Sequence, residues 1–472
     1  MNWKKNSIFL LSIIICCIPI FLTFNRGINY FDEGYILEGA RRIVAGELPY
    51  RDFHFIYTPG VIYFLALFLR LFGNFLIVER FAALFMSIIG IIFLGLFTRK
   101  LTKNIPITLL SMLSYAVWGP AHLNFVWPVM IVIPLVFIYL FFILRSHFFL
   151  AGLVMGIILL CKHNFGAALL ISLVGYILFI RLPKRQIVMI FSGFTSVMLL
   201  FLTYLLTTHS FFPFFSDMNT YTIQEIFVRK AFSVPFPTQN MGKSALYAFP
   251  GIVSFIVSIG LLMQKKHKHL LIPFTVFFFY LFGIFPTPDW THLTPLISIT
   301  GLLFALVSQI CTARNRFISY FFMISLVGIG LYSGIVRNYY RWEASLKNHT
   351  HCFSSGSMKY MCIDEKNYAV ISQTLKSLEK ETKKDKYIFS SYHNAIYYFF
   401  TQKNNPTRHI EVPQGTKEED AVVHALKQKK VSTIITRFPL ISSKSKIVSS
   451  YIEKNYVPVY SVYEFTVWKR KK

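Results

Sequence analysis

Apolar residues over the first 335 positions come in blocks of about 15 to 25 rather than at helical-face spacing, and a helix of about 20 apolar residues crosses a hydrocarbon layer. Eleven spans are predicted, at about 8–24, 78–98, 105–118, 126–144, 148–161, 165–180, 187–206, 246–263, 269–285, 293–311 and 317–335. One further block, Pro59 to Phe72, is only fourteen residues long and carries Arg70 near its end. It predicts a helix lying in the membrane interface. Counting it as a span would reverse every later loop.

From residue 336 the pattern changes to mixed charges. A helical stretch at Asn367 to Lys383 is followed by short β-rich runs at Tyr387 to Ser390, Val431 to Ile435 and Val457 to Trp468. Strands alternating with helices predict a small α/β domain over 336–472, after a membrane domain over 1–335 whose outer loop is 25–77. The expected fold class is therefore a polytopic α-helical membrane protein with a small soluble C-terminal domain.

Charge fixes the expected orientation. Lys4, Lys5, Arg99, Lys100, Lys103, Arg145, Arg181, Lys184, Arg185, Lys265, Lys266, Lys268, Arg314 and Arg316 lie in short segments on one side of the predicted spans, as cytoplasmic loops require. An odd number of spans beginning inside ends outside. The loop 25–77, Lys162-His163-Asn164, the loop at about 207–245, the segment Thr287 to His292 and the tail then all face away from the cytoplasm of a cell membrane. The formal net charge of +27 is explained by this sorting rather than by nucleic acid. Residues 54% hydrophobic and only 15% charged also exclude an ordinary soluble domain, which carries about 25% charged residues. Ile8 to Leu22 lacks a small-residue cleavage site, so it reads as an uncleaved first helix.

Cys16, Cys17, Cys161 and Cys311 lie in or beside apolar blocks, as small hydrophobes do. Cys352 and Cys362 fall in the outer polar segment, where they either form a disulfide or remain thiols. Trp118, Trp127 and Trp290 sit near outer span ends, where an aromatic belt is expected, and Phe211 to Phe215 reads as interfacial anchoring. The basic end Lys469 to Lys472 reads as a solvated terminus. No Gly-rich phosphate loop and no internal repeat is evident, so ATP and sugar nucleotides have no motif here.

Candidate chemistry concentrates in the first outer loop. Asp32 and Glu33 are adjacent carboxylates at the membrane surface; either they accept a proton from an acceptor hydroxyl or amine, or they begin a helix, whose N-terminus favours acids. Arg41, Arg42 and Arg51 offer positive charge nearby, and Lys162 offers it at the end of a span, where the competing reading is a snorkelling lysine. Asp52 with His54, and Asp289 with His292, are pairs that could join Glu33 in a metal or hydrogen-bond cluster, although neither spacing is a metal signature. A divalent cation is left open. His163 alone reads as a structural polar residue.

Three stretches carry a resemblance. Asp32-Glu33-Gly34 through Gly46-Glu47-Leu48-Pro49-Tyr50-Arg51-Asp52-Phe53, Thr58-Pro59-Gly60 and Glu79-Arg80 is the first. Leu150-Ala151-Gly152-Leu153 to Cys161-Lys162-His163-Asn164 is the second, and Pro288-Asp289-Trp290-Thr291-His292 before Pro295 is the third. Together they resemble membrane glycosyltransferases of the GT-C fold, glycosyltransferase family 39-like, in the branch of protein mannosyltransferases and lipid A aminoarabinose transferases. In the second stretch this chain has His163 where glutamine is frequent.

The resemblance implies a sugar donor carried on a polyprenyl phosphate and an envelope glycan, lipid or protein as acceptor. It also implies inverting transfer, with Asp32 as general base, Glu33 positioning the acceptor or holding a cation, and Lys162 on the phosphate. Two rivals stand beside it: a flippase for a lipid-linked saccharide, and a non-catalytic envelope assembly protein. Against transport, few ionisable residues lie at predicted mid-membrane depth.

Overall fold

The computed structural model describes residues 3–223, 241–284, 290–310, 313–333, 348–391, 394–411, 418–437, 445–463 and 465–471. Among these residues fifteen α-helices precede the first strand: α1 (Trp3–Thr23), α2 (Asp32–Val44), α3 (Gly60–Phe72), α4 (Leu76–Thr102), α5 (Ile105–Trp118), α6 (Pro128–Leu144), α7 (Phe148–Cys161), α8 (His163–Ile180), α9 (Lys184–Thr207), α10 (Phe211–Ile223), α11 (Met241–Met263), α12 (Leu271–Ile284), α13 (Trp290–Ser298), α14 (Thr300–Ile310) and α15 (Ala313–Leu331). Each predicted span falls on a helix, and the one at 293–311 falls on α13 and α14, which are broken at Ile299.

Among the described residues, six helical segments are long and apolar enough to cross a membrane: Asn6–Thr23, Leu76–Thr102, His163–Ile180, Lys184–Thr207, Ser244–Met263 and Thr291–Ile310. The other predicted spans are shorter apolar helices, at Ile105–Trp118, Pro128–Leu144, Phe148–Cys161, Leu271–Ile284 and Arg316–Leu331. This is an integral membrane protein.

The chain forms two compact units, each discontinuous in sequence. The first comprises Met1–Phe24, Arg80–Thr203 and Lys230–Lys347 and is built from the apolar helices. Close backbone approach dictates glycine where α7 meets α9: a Cβ on Gly152 would overlap the Ile190 carbonyl oxygen, and one on Gly193 the Phe149 carbonyl oxygen. Small residues let membrane helices gain dispersion contacts that lipid would otherwise take. Trp118 and Trp127 are 4% and 3% exposed, so they are not the interfacial belt that their positions suggest. Trp118 donates its indole N–H to the Leu326 carbonyl oxygen at 2.8 Å and stacks on His122.

The second unit comprises Asn25–Glu79, Tyr204–Arg229 and Asn348–Lys472. It joins the segment 25–79, with α2 and α3, and α10 to the C-terminal region. That region holds β1 (His351–Cys352), β2 (Cys362–Ile363), α16 (Glu365–Thr382), β3 (Phe389–Ser390), α17 (Ile396–Thr401), α18 (Glu418–Gln428), β4 (Thr433–Arg437), α19 (Lys446–Asn455), β5 (Tyr456–Val462) and β6 (Phe465–Arg470). β1 and β2 pair antiparallel, and the disulfide Cys352–Cys362 joins their facing positions. The larger sheet has the order β3-β4-β6-β5, with β3 parallel to β4 and the other neighbours antiparallel. Its buried face packs on α18 and α19 through Phe389, Val422, Leu426, Ile434, Ile452 and Trp468.

Candidate active site

Asp32 and Glu33 open α2, and Asn29 fixes both. The Asn29 side-chain oxygen accepts from the backbone N–H of Phe31 (3.1 Å) and Asp32 (3.0 Å), which turns the chain into the helix. In return the Asn29 backbone N–H donates to Glu33 Oε2 at 2.9 Å, a reciprocal arrangement like a capping box. The Asn29 amide also donates to Asp32 Oδ2 at 3.0 Å. The two acids thereby separate in character: Glu33 is 1% exposed and bound back to the turn, whereas Asp32 is half-buried. The helix-start reading and the proton-acceptor reading are thus compatible, one for each carboxylate.

The three candidate arginines of the same unit have carboxylate partners. Arg41 meets Glu38, one turn earlier on α2, through Nε–Oε2 at 2.7 Å and Nη2–Oε1 at 3.0 Å; Glu38 is fully buried. Burial works against the Arg41 charge, but the Glu38 carboxylate outweighs it and holds the pKa above its ordinary value. Arg42 pairs with Glu47 at 2.6 Å and donates to the Thr407 carbonyl oxygen at 3.0 Å. Arg51 pairs with Asp52 at 2.8 Å, and Asp52 also accepts from the Leu48 N–H. The hydrogen bond from Arg51 is the main reason the Asp52 pKa lies below the ordinary carboxylate range.

His54 points elsewhere. Its ring lies 5.3 Å from that of His409, whose Nε2 is 3.1 Å from Glu418. Burial, with Arg408 adding to it, pushes the His54 pKa down to about 3. Beside it the buried carboxyl of Asp217, on α10, meets Arg408 at 2.7 Å and accepts from the Phe55 N–H at 3.3 Å. Burial raises the Asp217 pKa to about 6, with Arg408 opposing the shift. Asp52 and His54 therefore serve separate contacts. Among the described residues no three His, Cys, Asp or Glu side chains gather as a metal site.

In the first unit Lys162 lies between α7 and α8 with extended backbone and is 2% exposed. Its ammonium sits over two rings, 5.5 Å from the centroid of Trp127 and 5.3 Å from that of Phe165. His292, on α13, packs edge-on against Trp127 with centroids 6.1 Å apart. The second and third sequence stretches thus meet on one indole. His163 is the first residue of α8 and is half-buried, while the neighbouring Asn164 amide donates to the Phe282 carbonyl oxygen at 3.2 Å. Asp289 lies outside the described residues.

The same unit buries the whole connection 119–127 between α5 and α6. Buried loops need internal partners for their polar groups. Asn124 supplies two: its side-chain oxygen accepts from Arg80 at 2.6 Å, and its amide donates to the Thr23 carbonyl oxygen at 2.6 Å.

Sequence reasoning missed Asn29, Glu38, Asp217 and Arg408, and it assigned Trp127 to the aromatic belt rather than to Lys162. Asn29 stands three residues before Asp32, the spacing of a helix cap, and Glu38 stands three before Arg41, so both carried a local signal. The others are joined to their partners over sequence distances that no local pattern encodes.

No protein-family model matches the sequence, and neither does any curated protein. Among solved structures, the chain is similar to ArnT from Cupriavidus metallidurans bound to undecaprenyl phosphate: 12% identity, 99% of this chain and 98% of that chain covered, and a TM-score of 0.60. Against the same protein in the apo state the identity is 12%, each chain is covered over 98%, and the TM-score is 0.61. ArnT is an aminoarabinose transferase of the GT-C fold, and likeness over nearly the full length of both chains shows that this chain has the GT-C fold.

Proposed function

We propose that this chain is a glycosyltransferase that takes a sugar from a polyprenyl-phosphate donor and passes it, with inversion, to an extracytoplasmic envelope glycan, lipid or protein. The observation that carries the reading is the division of labour at the start of α2. Asn29 donates to one oxygen of Asp32, a half-buried residue, while the buried Glu33 is bound back to the turn. A positioned carboxylate of this kind can act as general base. The GT-C fold supports the reading, as does the undecaprenyl phosphate named in the ArnT structure. The Cys352–Cys362 disulfide supports placing the second unit outside the cytoplasm, because disulfides persist in oxidising compartments.

In this reading the Asp32 carboxylate takes the proton of the acceptor hydroxyl as that oxygen bonds to the anomeric carbon. The bond from that carbon to the phosphate oxygen breaks, and the polyprenyl phosphate leaves with the electron pair. Lys162 supplies positive charge to the departing phosphate. Charge stabilisation of this kind does most of the work when the leaving group is already good. Glu33 keeps the acceptor-side turn in shape, and Arg41, Arg42 and Arg51 hold the outer unit together through their carboxylates.

The test is transfer by purified protein in lipid, with a panel of polyprenyl-phosphate sugars and extracted envelope acceptors. Asn at position 32 still accepts a hydrogen bond from Asn29, so Asp32→Asn should fold normally and lose about 10²- to 10⁴-fold in rate. A folded Asp32→Asn variant with wild-type turnover removes the base assignment. Movement of labelled lipid across vesicles with no product would instead support the flippase.

A further inference from the structure

The first unit has a cavity that transfer chemistry does not use. Helices α8, α11 and α12 enclose a groove of about 450 Å³, lined by Ile171, Val174, Leu178, Phe255, Ile259 and Phe274 among others. Leu178 is 73% exposed and Ile259 42% exposed, so these side chains form a concave apolar surface rather than a packed core. From Ile171 to Leu178 the groove follows α8 for about 10 Å, at 1.5 Å per residue.

One end of the groove is basic. Arg181 follows Leu178 by three residues, with Lys184 and Arg185 just beyond, and all three are exposed. The 3-10 turn His267–His269 joins α11 to α12 at the same end, flanked by exposed Lys265 and including exposed Lys268. Direct contacts hold the turn on the end of α8: the Tyr176 hydroxyl donates to the Lys268 carbonyl oxygen at 3.3 Å, and the Phe179 ring is 5.9 Å from His267. Lys266 is engaged by the Ile310 carbonyl oxygen at 3.0 Å.

Counter-ions are missing from the sequence around this end. No Asp or Glu occurs at 80–216 or at 226–288, and the first unit contains only Asp289 and Glu343. Within the first unit, then, no carboxylate lies near these loops in sequence. A phosphodiester supplies an anion, and its acyl chain is the shape and polarity of the groove. Basic pockets between membrane helices recognise anionic headgroups in this way.

We propose that the α8–α11–α12 groove is a binding site for one anionic phospholipid. An acyl chain lies along Val174, Leu178 and Ile259, and the phosphate is held by Arg181, Lys184, Arg185 and Lys268. This lipid is a resident of the basic, predicted cytoplasmic side and is distinct from the polyprenyl-phosphate donor. The site is expected whether or not the chain proves to be a transferase.

The test uses full-length protein in detergent, titrated with phosphatidylglycerol, phosphatidylcholine or polyprenyl phosphate and read by native mass spectrometry. Thermal unfolding serves as the folding control. Phosphatidylglycerol should be retained and phosphatidylcholine not. Lys184→Gln with Lys268→Gln should weaken retention about 25-fold, at roughly fivefold for each charge. Only two of the many basic loop charges are removed, which leaves membrane orientation unchanged. Ile259→Trp, filling the groove and leaving the charges, should abolish retention. Equal retention of the two phospholipids overturns the proposal, as does undiminished retention in either folded variant. Displacement of phosphatidylglycerol by an equimolar amount of polyprenyl phosphate overturns it as well, because the groove would then be a donor site.

Discussion

Removing Glu38 isolates a buried charge. Its carboxylate is fully buried and accepts two hydrogen bonds from Arg41, at 2.7 and 3.0 Å, and the Arg41 residue is itself only 7% exposed. That guanidinium also reaches the Asn404 side-chain oxygen at 3.4 Å, which carries no charge. Glu38→Leu therefore leaves a buried cation without its contacting carboxylate and with only the more distant Glu47 to offset it, at a cost of about 3–5 kcal/mol. Set against a typical domain stability of about 5–15 kcal/mol, that is enough to unfold a large share of the protein on mild heating. Glu38→Leu with Arg41→Leu removes both charges and should restore stability to within about 1 kcal/mol of wild type or above it. Chemical unfolding of the full chain in detergent, followed by tryptophan fluorescence, measures both. A single variant as stable as wild type, or a double variant as unstable as the single, refutes the ion-pair reasoning. The double variant also isolates any role of Arg41 in holding phosphate: if it folds but transfers no sugar, Arg41 works on substrate as well as on Glu38.

Four further outcomes are expected. The His54 pKa is depressed to about 3, so its contribution to stability is complete above the ordinary value of 6.5 and is lost as pH falls below that. The loss is about 1.4 kcal/mol per pH unit; His54→Phe should flatten the fall in melting temperature between pH 7 and 5, and an unchanged slope would refute the assignment. Asp217, raised to about 6, acts in the opposite sense, losing its contribution as pH rises through 6, so Asp217→Asn should steepen the acid loss. Cys352 and Cys362 should resist alkylation until reduced, and Cys352→Ser should cost about 2–4 kcal/mol; free thiols in protein from intact cells would count against both the bond and the outward orientation. Trp127→Leu removes one of the two rings facing Lys162, worth about 0.5–2 kcal/mol, and should weaken donor binding about 2- to 30-fold without changing the pH dependence of turnover.

The membrane helices were legible because lipid imposes a length and a composition on any segment that crosses it, and the eleven predicted blocks coincide with α1, α4–α9 and α11–α15. The short α3, carrying Arg70, was also distinguishable and belongs to the second unit. Which charges were already paired was legible only in part. Arg41 and Arg42 read as phosphate ligands when only charge and position were considered, yet Glu38 and Glu47 lie within five residues of them. Local spacing contained that answer. For Arg408 and Asp217, 191 residues apart, and for Lys162 over Trp127, it did not, because helix packing rather than local pattern makes those contacts.

The interleaved construction of the second unit sets an order on its biogenesis. Residues 25–79 leave the ribosome first, 204–229 later and 348–472 last. At about 5–20 residues per second, the turn that carries Asp32 waits roughly 20 to 90 seconds for the strands and helices that complete its unit. Through that interval Tyr35, Phe53 and Phe55, all buried in the finished protein, have no completed core to enter. A nascent chain arrested before residue 348 should therefore be protease-sensitive at 25–79 even with its membrane helices inserted. Retention by chaperones outside the membrane, rather than helix insertion, would then limit the yield of folded protein.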